Sequence, residues 1–119
     1  MLNPDAIRLR HMCDAARLAL KLSSGKRRED LESDPGLALS LIRCLEIFGE
    51  AASKVTPESR SKLPEVPFEK AVGMRNRLIH AYFDVDLEIV WVTITEDLPS
   101  VLPYLEAASS QDPSKDPNG

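Results

Sequence analysis

The amino-acid sequence predicts an all-α antiparallel bundle of four main helices and one or two short ones. Apolar residues recur at steps of three and four through most of the chain, a spacing that places them on one face of a helix. Capping residues stand directly before prolines at Asn3-Pro4, Asp34-Pro35 and Thr56-Pro57, as is typical of helix starts. No segment shows the alternating pattern of a β-strand, so a helical bundle is the expected architecture.

The first two main helices are predicted to begin after Asn3 and Asp34. Their inward faces are expected to be Leu9, Met12, Ala16, Ala19 and Leu20 in the first helix, and Leu37, Leu41, Leu45, Phe48, Ala52 and Val55 in the second. A short helix is expected after Thr56. The third main helix is predicted to run from about residue 67 to residue 78.

The fourth main helix is predicted to begin near Asp84 or Asp86, whose carboxylates favour a helix N-terminus. Its inward stripe is expected to be Trp91, Ile94, Leu98, Val101 or Leu102, and Leu105. Pro99 and Pro103 interrupt this helix, and each lacks the backbone N–H that the helix needs. We therefore expect a kink or a loosened final segment.

The length of 119 residues fits one domain with one hydrophobic core. We assign residues 1–108 to that helical-bundle domain. Residues 109–119 contain no aliphatic or aromatic side chain, so they are expected to form a disordered polar tail.

The net charge of −4 is unevenly distributed along the chain. Residues 83–119 contain one basic and eight acidic side chains, whereas residues 67–82 contain three basic and one acidic. The locally basic segment permits contact with RNA phosphates. Because the chain as a whole is negatively charged, any such contact is expected to be confined to this segment.

Location and redox state follow from what the sequence lacks. No apolar run is long enough to span a bilayer, and the first residues do not resemble a secretory leader. Cys13 and Cys44 stand alone within apolar helical patterns, so they are predicted to be buried core residues rather than a disulfide or metal site. The expected location is the cytoplasm.

Residues 75–82, Arg-Asn-Arg-Leu-Ile-His-Ala-Tyr, carry the most chemistry in the chain. The guanidinium groups of Arg75 and Arg77 match phosphate geometry, and His80 can transfer a proton near neutral pH. The alternative is structural: basic residues at the end of a helix, a half-buried His80, and a Tyr82 that only packs. The residue types suit phosphodiester cleavage without a metal ion.

Other catalytic patterns are absent. The sequence contains no metal-ligand spacing, no glycine-rich phosphate loop and no nucleophile elbow. The acidic cluster at residues 84–88 is predicted to cap a helix rather than to bind a cation. His11 lies beside Arg8 and Arg10 and is predicted to be a surface residue.

Two further groups of charges remain open. Glu46 and Glu50 lie one helical turn apart, so they are either solvated or orient Arg75 or Arg77. The basic stretch at residues 26–28 is either a solvated loop after a helix or a second strip of contact with RNA or a partner.

The motif at residues 75–82 resembles the Arg-x-x-x-x-His-x-Tyr signature of HepT-like toxins of the HEPN superfamily, which are encoded beside a minimal nucleotidyltransferase (MNT) antitoxin. Residues 45–52 are similar to the Ile-Gly-Glu-Ala helix of that family, and residues 64–68 to its Pro-Glu-Ile-Pro-Trp segment. Phe48 and Phe68 replace an isoleucine and a tryptophan that are common there, and both keep the apolar character.

The resemblance implies a HEPN-type bundle and a metal-independent endoribonuclease without a cofactor. Arg75 would hold the scissile phosphate, Asn76 would orient the phosphate or the 2′-hydroxyl, and His80 would move the proton. Arg77 and Glu50 are the candidate supporting or RNA-binding residues of the site. The RNA 2′-hydroxyl would attack in line and leave a 2′,3′-cyclic phosphate, which excludes DNA as a substrate.

The resemblance also implies a homodimer with a composite site. In-line cleavage benefits from one base and one acid, and each chain supplies one motif histidine, His80. A two-fold dimer would bring two copies of His80 and of Arg75 to a shared cleft. The MNT antitoxin would silence the toxin by transferring AMP from ATP to Tyr82. The alternative is a non-catalytic module that binds nucleotide or RNA and partners a nucleotidyltransferase.

Overall fold

The computed structural model describes residues 3–81 and 84–110, and within those ranges its elements are helices, with no strand. The elements are α1 (Pro4–Ser23), α2 (Asp30–Ser33), α3 (Pro35–Ser53), α4 (Pro57–Ser61), α5 (Phe68–Ala81), α6 (Leu87–Val92), a π-helical segment (Thr93–Asp97) and α7 (Leu98–Ser110). Because α6, the π-helical segment and α7 are continuous, the described chain has four main and two short helices, as predicted. None of these helices is both long and apolar enough to cross a membrane.

The helix starts are at the predicted capping residues. The side chains of Asn3, Asp34 and Thr56 each accept a hydrogen bond from a backbone N–H in the following turn, at 2.9, 3.1 and 3.3 Å. Proline occupies the first helical position after each of them, where its missing N–H costs nothing. Asp86 caps α6 in the same way, so it is the later of the two predicted positions that begins the last helix.

Helix α3 occupies the centre of the bundle. It packs against α1 on one side and α5 on the other, and α7 packs against α1. The predicted apolar stripes form the core, although Leu20, Leu37 and Trp91 are only half-buried. Cys13 and Cys44 are buried free thiols, as the sequence indicated.

Helix α5 differs from its predicted extent. It begins at Phe68 and continues to Ala81, three residues beyond the predicted end at Leu78. No proline or glycine stands between Leu78 and Ala81, so nothing in the sequence ends the helix earlier. His80 therefore lies in the last turn of α5.

The predicted interruption of the last helix takes a specific form. The π-helical segment ends one residue before Leu98, and Pro99 follows. The ring of Pro99 would clash with the carbonyl group four residues earlier, that of Thr95, and a widened turn relieves that clash. Pro103 lies inside α7, and the helix continues past it to Ser110.

The end of α7 corrects one boundary. The helix extends to Ser110, two residues into the predicted disordered tail. Ser109 continues the inward stripe of Val101 and Leu105 at steps of four residues and is 2% exposed, which explains why the helix reaches it. The remainder of the predicted tail, residues 111–119, lies outside the described residues.

Candidate functional site

Helix α5 approaches α3 unusually closely at Gly49. A Cβ atom built on Gly49 would overlap the Cβ of Arg75 and would lie 2.7 Å from the carbonyl oxygen of Ala71. Only glycine permits this distance between the two helices. The absence of a side chain at Gly49 therefore places the backbone of Arg75 directly against α3.

The Arg75 guanidinium is held by two neighbours. Its Nη2 lies 2.6 Å from Oε2 of Glu50 on α3, and its Nη1 donates a hydrogen bond of 3.0 Å to Oδ1 of Asn76. A guanidinium has five N–H donors, so these contacts leave donors for an anion. Of the two carboxylates considered from the sequence, Glu50 contacts Arg75, whereas Glu46 pairs with Arg43 at 3.4 Å.

Arg75 lines an open groove between α1, α3 and α5. The groove has a volume of about 470 Å³, within the roughly 300–1,000 Å³ of small-ligand pockets. Its ionisable lining consists of Arg8, His11, Arg43, Glu46, Glu50, Lys54 and Arg75, and we call it the basic groove. Ile79 of α5 also lines it, one turn after Arg75.

His80 lines a different groove, between α5 and α6. This groove, which we call the α6 groove, has a volume of about 340 Å³. Arg77 and His80 line it together with Asp84 and Ile89. The side chains of Arg77 and His80 are both exposed, so both are available to a ligand or a second chain.

The helical geometry explains why one motif serves two grooves. Arg75 and His80 are five residues apart, which turns the helix by about 500° and leaves them about 140° apart around its axis. Asn76 and His80 are four residues apart and share a face. One described chain thus brings Arg75, Asn76 and Glu50 together and presents His80 in the other groove. The remaining motif residue, Tyr82, lies outside the described residues.

Two other charged clusters make contacts within the chain. Asp86 accepts hydrogen bonds from the first turn of α6, as expected for a capping carboxylate. Arg28, from the basic stretch at residues 26–28, pairs with Glu32 at 2.9 Å and with Glu88. Arg28 is therefore engaged in ion pairs within the chain. The described residues contain no group of three or more His, Cys, Asp or Glu that could hold a metal ion.

Sequence reasoning missed three contributions to the site. No prediction was attached to Gly49, although a glycine inside a helix is unfavourable and so indicates close approach of a neighbour. Arg8 and His11 were placed on the first helix without a link to the motif. Nothing in the pattern of a single helix shows that they share a groove with Arg75, because that depends on how α1 packs beside α3.

Comparison with known proteins points to one family. A sequence profile described as "Ribonuclease HepT-like" matches residues 12–108. The chain is 37% identical to the "Putative RNase TTE0752" of Caldanaerobacter subterraneus subsp. tengcongensis over 78% of its own length and 83% of that protein. It is 36% identical to the "Putative RNase MJ1216" of Methanocaldococcus jannaschii (76% and 74% of the two chains). It is 41% identical to the "Probable ribonuclease HepT" of Thermococcus cleftensis (61% and 66%). No solved structure matches the chain significantly.

Proposed function

This chain belongs to the HepT-like ribonuclease family, and from that premise we propose that it is a metal-independent endoribonuclease, the toxin of a HEPN/MNT toxin–antitoxin pair. The observation that carries the proposal is the arrangement of Arg75. Its guanidinium is oriented by Glu50 and Asn76, and it opens into a groove large enough for part of an RNA strand. Arginine in a fixed orientation can bind a phosphate through two parallel hydrogen bonds.

The proposed reaction is an in-line transfer within the RNA. The 2′-oxygen forms a bond to the adjacent phosphorus, and the bond from phosphorus to the 5′-oxygen breaks. A base removes the 2′-hydroxyl proton, an acid protonates the leaving 5′-oxygen, and a 2′,3′-cyclic phosphate remains. His80 moves a proton, Arg75 stabilises the charge that develops on the phosphate oxygens, and Asn76 orients the phosphate or the 2′-hydroxyl.

The separation of Arg75 and His80 supports a homodimer. Within one chain these two side chains line different grooves, so the complete set of catalytic groups requires a second copy. We propose that each Arg75 works with His80 of the other chain. A two-fold axis would then create two equivalent pairs in a shared cleft. Arg77, exposed beside His80, supports RNA binding there.

RNA cleavage in EDTA, with analysis of the product ends, tests the enzymatic proposal. The parent should leave 2′,3′-cyclic phosphate, whereas Arg75→Ala and His80→Ala should lose activity by about a hundredfold or more. Arg17→Ala is the matched control, because Arg17 is an exposed arginine that pairs with Glu106, away from both grooves. If the parent binds RNA without cleaving it, the protein is a binding module instead.

We propose in addition that Tyr82 accepts AMP from ATP through the MNT partner. The tyrosine oxygen would bond to the α-phosphorus of ATP and release pyrophosphate. Tyr82 follows the last residue of α5 in the sequence, and the negative charge added there would compete with RNA for the arginines of the motif.

Intact-mass measurement after incubation with the partner and ATP tests this modification. An AMP-sized increment should appear on the parent and on Tyr104→Phe but not on Tyr82→Phe. Tyr104 is the matched control, since it is the other tyrosine of the chain and is exposed. An unmodified parent would refute this part of the proposal without affecting the ribonuclease.

A further inference from the structure

The basic groove extends beyond the residue assigned to the scissile phosphate. Helix α1 contributes Arg8 and His11, and α3 contributes Arg43 and Lys54, to the groove that Arg75 lines from α5. Holding a single phosphate requires only Arg75 and its immediate neighbours. The additional basic side chains, from two further helices, therefore need a different explanation.

The charges in this groove are not balanced. Three arginines and one lysine line it with only two carboxylates, although the whole chain has a net charge of −4. Glu50 is shared between Arg75 and Lys54, at 2.6 and 3.4 Å, and Glu46 is used by Arg43. Two positive charges remain in excess in a concave surface, where like charges repel one another unless an anion binds.

Among the cations of the groove, Arg8 is the one without a partner in the described part of the chain. It makes no ion pair or hydrogen bond with a described residue, and the exposed His11, three residues later on α1, makes none either. Arg8 is partly buried and faces the groove without a carboxylate partner. Its planar guanidinium matches the geometry of a phosphate, so it is well suited to bind one.

Apolar surface lies beside these charges. Ile47 and Ile79 both line the groove and are 38% and 40% exposed. A polynucleotide strand presents a phosphate and an apolar base face at each step, so charged and apolar patches side by side fit a single strand better than an isolated anion.

We infer that the basic groove binds the RNA strand next to the scissile phosphate, with Arg8 and Arg43 contacting flanking phosphates and His11 beside them. This inference rests on the proposed function, because it takes Arg75 to be the residue at the scissile phosphate. Binding in the groove orients the strand along α1 and α3, so that one particular phosphate reaches Arg75. It extends the site from one phosphate to several nucleotides.

Binding measured without cleavage isolates the contribution of the groove. In a His80→Ala background, the affinity for a fluorescent single-stranded RNA is measured by anisotropy at several salt concentrations. Arg8→Ala and Arg43→Ala should each weaken binding roughly tenfold, the value of one charge-assisted contact. Each should also reduce the slope of log affinity against log salt by about 0.7, the change expected for one lost phosphate contact on a single strand.

Two further variants serve as controls. Arg17→Ala removes the same side chain from the same helix outside the groove and should leave both affinity and slope unchanged. Arg8→Lys keeps the positive charge but loses the planar guanidinium with its paired N–H donors. It should therefore bind RNA less tightly while retaining most of the slope of log affinity against log salt. Circular dichroism of each variant establishes that the bundle is folded.

The outcomes separate this inference from the proposed function. If Arg8→Ala and Arg43→Ala bind RNA like Arg17→Ala, the groove inference is wrong, and cleavage by the parent in EDTA still decides the enzymatic proposal. If the groove variants lose affinity and salt dependence but the parent never cleaves RNA, the groove inference stands and the ribonuclease proposal fails.

Discussion

At the scale of single residues, Glu50 illustrates how a carboxylate acts through a neighbour. It lies on α3, outside the motif, and its Oε2 fixes the guanidinium of Arg75 at 2.6 Å. Its position one turn after Glu46 left two roles open in the sequence. The packing of α5 on α3 distinguishes them, because only Glu50 lies opposite Arg75.

We expect Glu50→Gln to slow RNA cleavage up to about a hundredfold, because a misplaced catalytic group loses that order of rate. The loss should appear in kcat rather than in KM, since Arg75 keeps its charge. Steady-state kinetics with a short RNA substrate measure kcat and KM separately. Glu46→Gln, one turn earlier on the same helix, is the matched control. Equal kcat for the two variants would show that Glu50 does not position Arg75.

The carboxylate of Asp5 links two helices through hydrogen bonds. It accepts hydrogen bonds from the hydroxyls of Thr56 and Ser59 and from the backbone N–H of Thr56, and so joins α1 to α4. Burial raises the pKa of Asp5, but the hydrogen bonds from Ser59 and Thr56 together lower it more, so the pKa lies below its usual value.

This lowered pKa predicts a specific pH dependence. The carboxylate stabilises the fold at neutral pH, and the contribution disappears as the pH falls from about 4 through the folded-state pKa. Asp5→Asn should therefore lose about 1–3 kcal/mol at pH 7 and lose progressively less below pH 4. Urea unfolding across this range measures the difference. Asp14→Asn, an exposed site on the same helix, should show little loss, and a pH-independent deficit in Asp5→Asn would contradict the account.

At the scale of helices, the contact between α3 and α5 depends on the missing side chain at Gly49. Glycine inside a helix is about 1 kcal/mol less favourable than alanine. The close approach of Arg75 and Ala71 offsets that cost by packing the two helices together. Local helix propensity and tertiary contact therefore oppose each other at this position, and the tertiary contact prevails.

Two glycine substitutions should have opposite effects on stability. Gly49→Ala places a methyl group against Arg75 and Ala71 and should destabilise the fold by about 1–3 kcal/mol. Gly73→Ala, on α5, meets no atom within 4 Å and should stabilise it by roughly 0.5–1 kcal/mol. Thermal or urea unfolding of both variants measures the effect. Stabilisation by Gly49→Ala would show that the helices separate more easily than their packing indicates.

At the scale of the whole molecule, the two grooves on opposite sides of α5 require two chains for a complete site under our proposal. A dimer in which Arg75 meets His80 of the other chain can be tested by mixing two inactive variants. Arg75→Ala and His80→Ala, allowed to exchange subunits, should recover at most about a quarter of the parental activity, because half of the dimers are mixed and each keeps one intact pair. Each mixed dimer has a single His80, so recovery falls below a quarter if both copies of His80 act in one cleavage.

Light scattering provides the independent check on this dimer. The protein should have the mass of two chains at micromolar concentration. In the mixing experiment, a mixture of either inactive variant with Arg17→Ala serves as the reference for subunit exchange. A monomer at that concentration, together with no recovery in the mixture, would refute the composite site. Recovery without a stable dimer would indicate transient pairing.

The sequence by itself determined the fold class, the helix starts and the family. Those properties are local: caps before prolines, apolar residues at steps of three and four, and an ordered set of motifs along one chain. The same locality explains the errors, since the end of α5 and the length of α7 depend on which neighbours bury residues such as Ser109.

Only the tertiary structure decided which side chains share a surface. It placed Glu50 against Arg75, brought Arg8 and His11 of α1 into the groove of Arg75, and put His80 on the other side of α5. These relations arise from the packing of helices that are far apart in the sequence. A periodic pattern states which face of each helix is apolar but not which polar edges meet when those faces pack together.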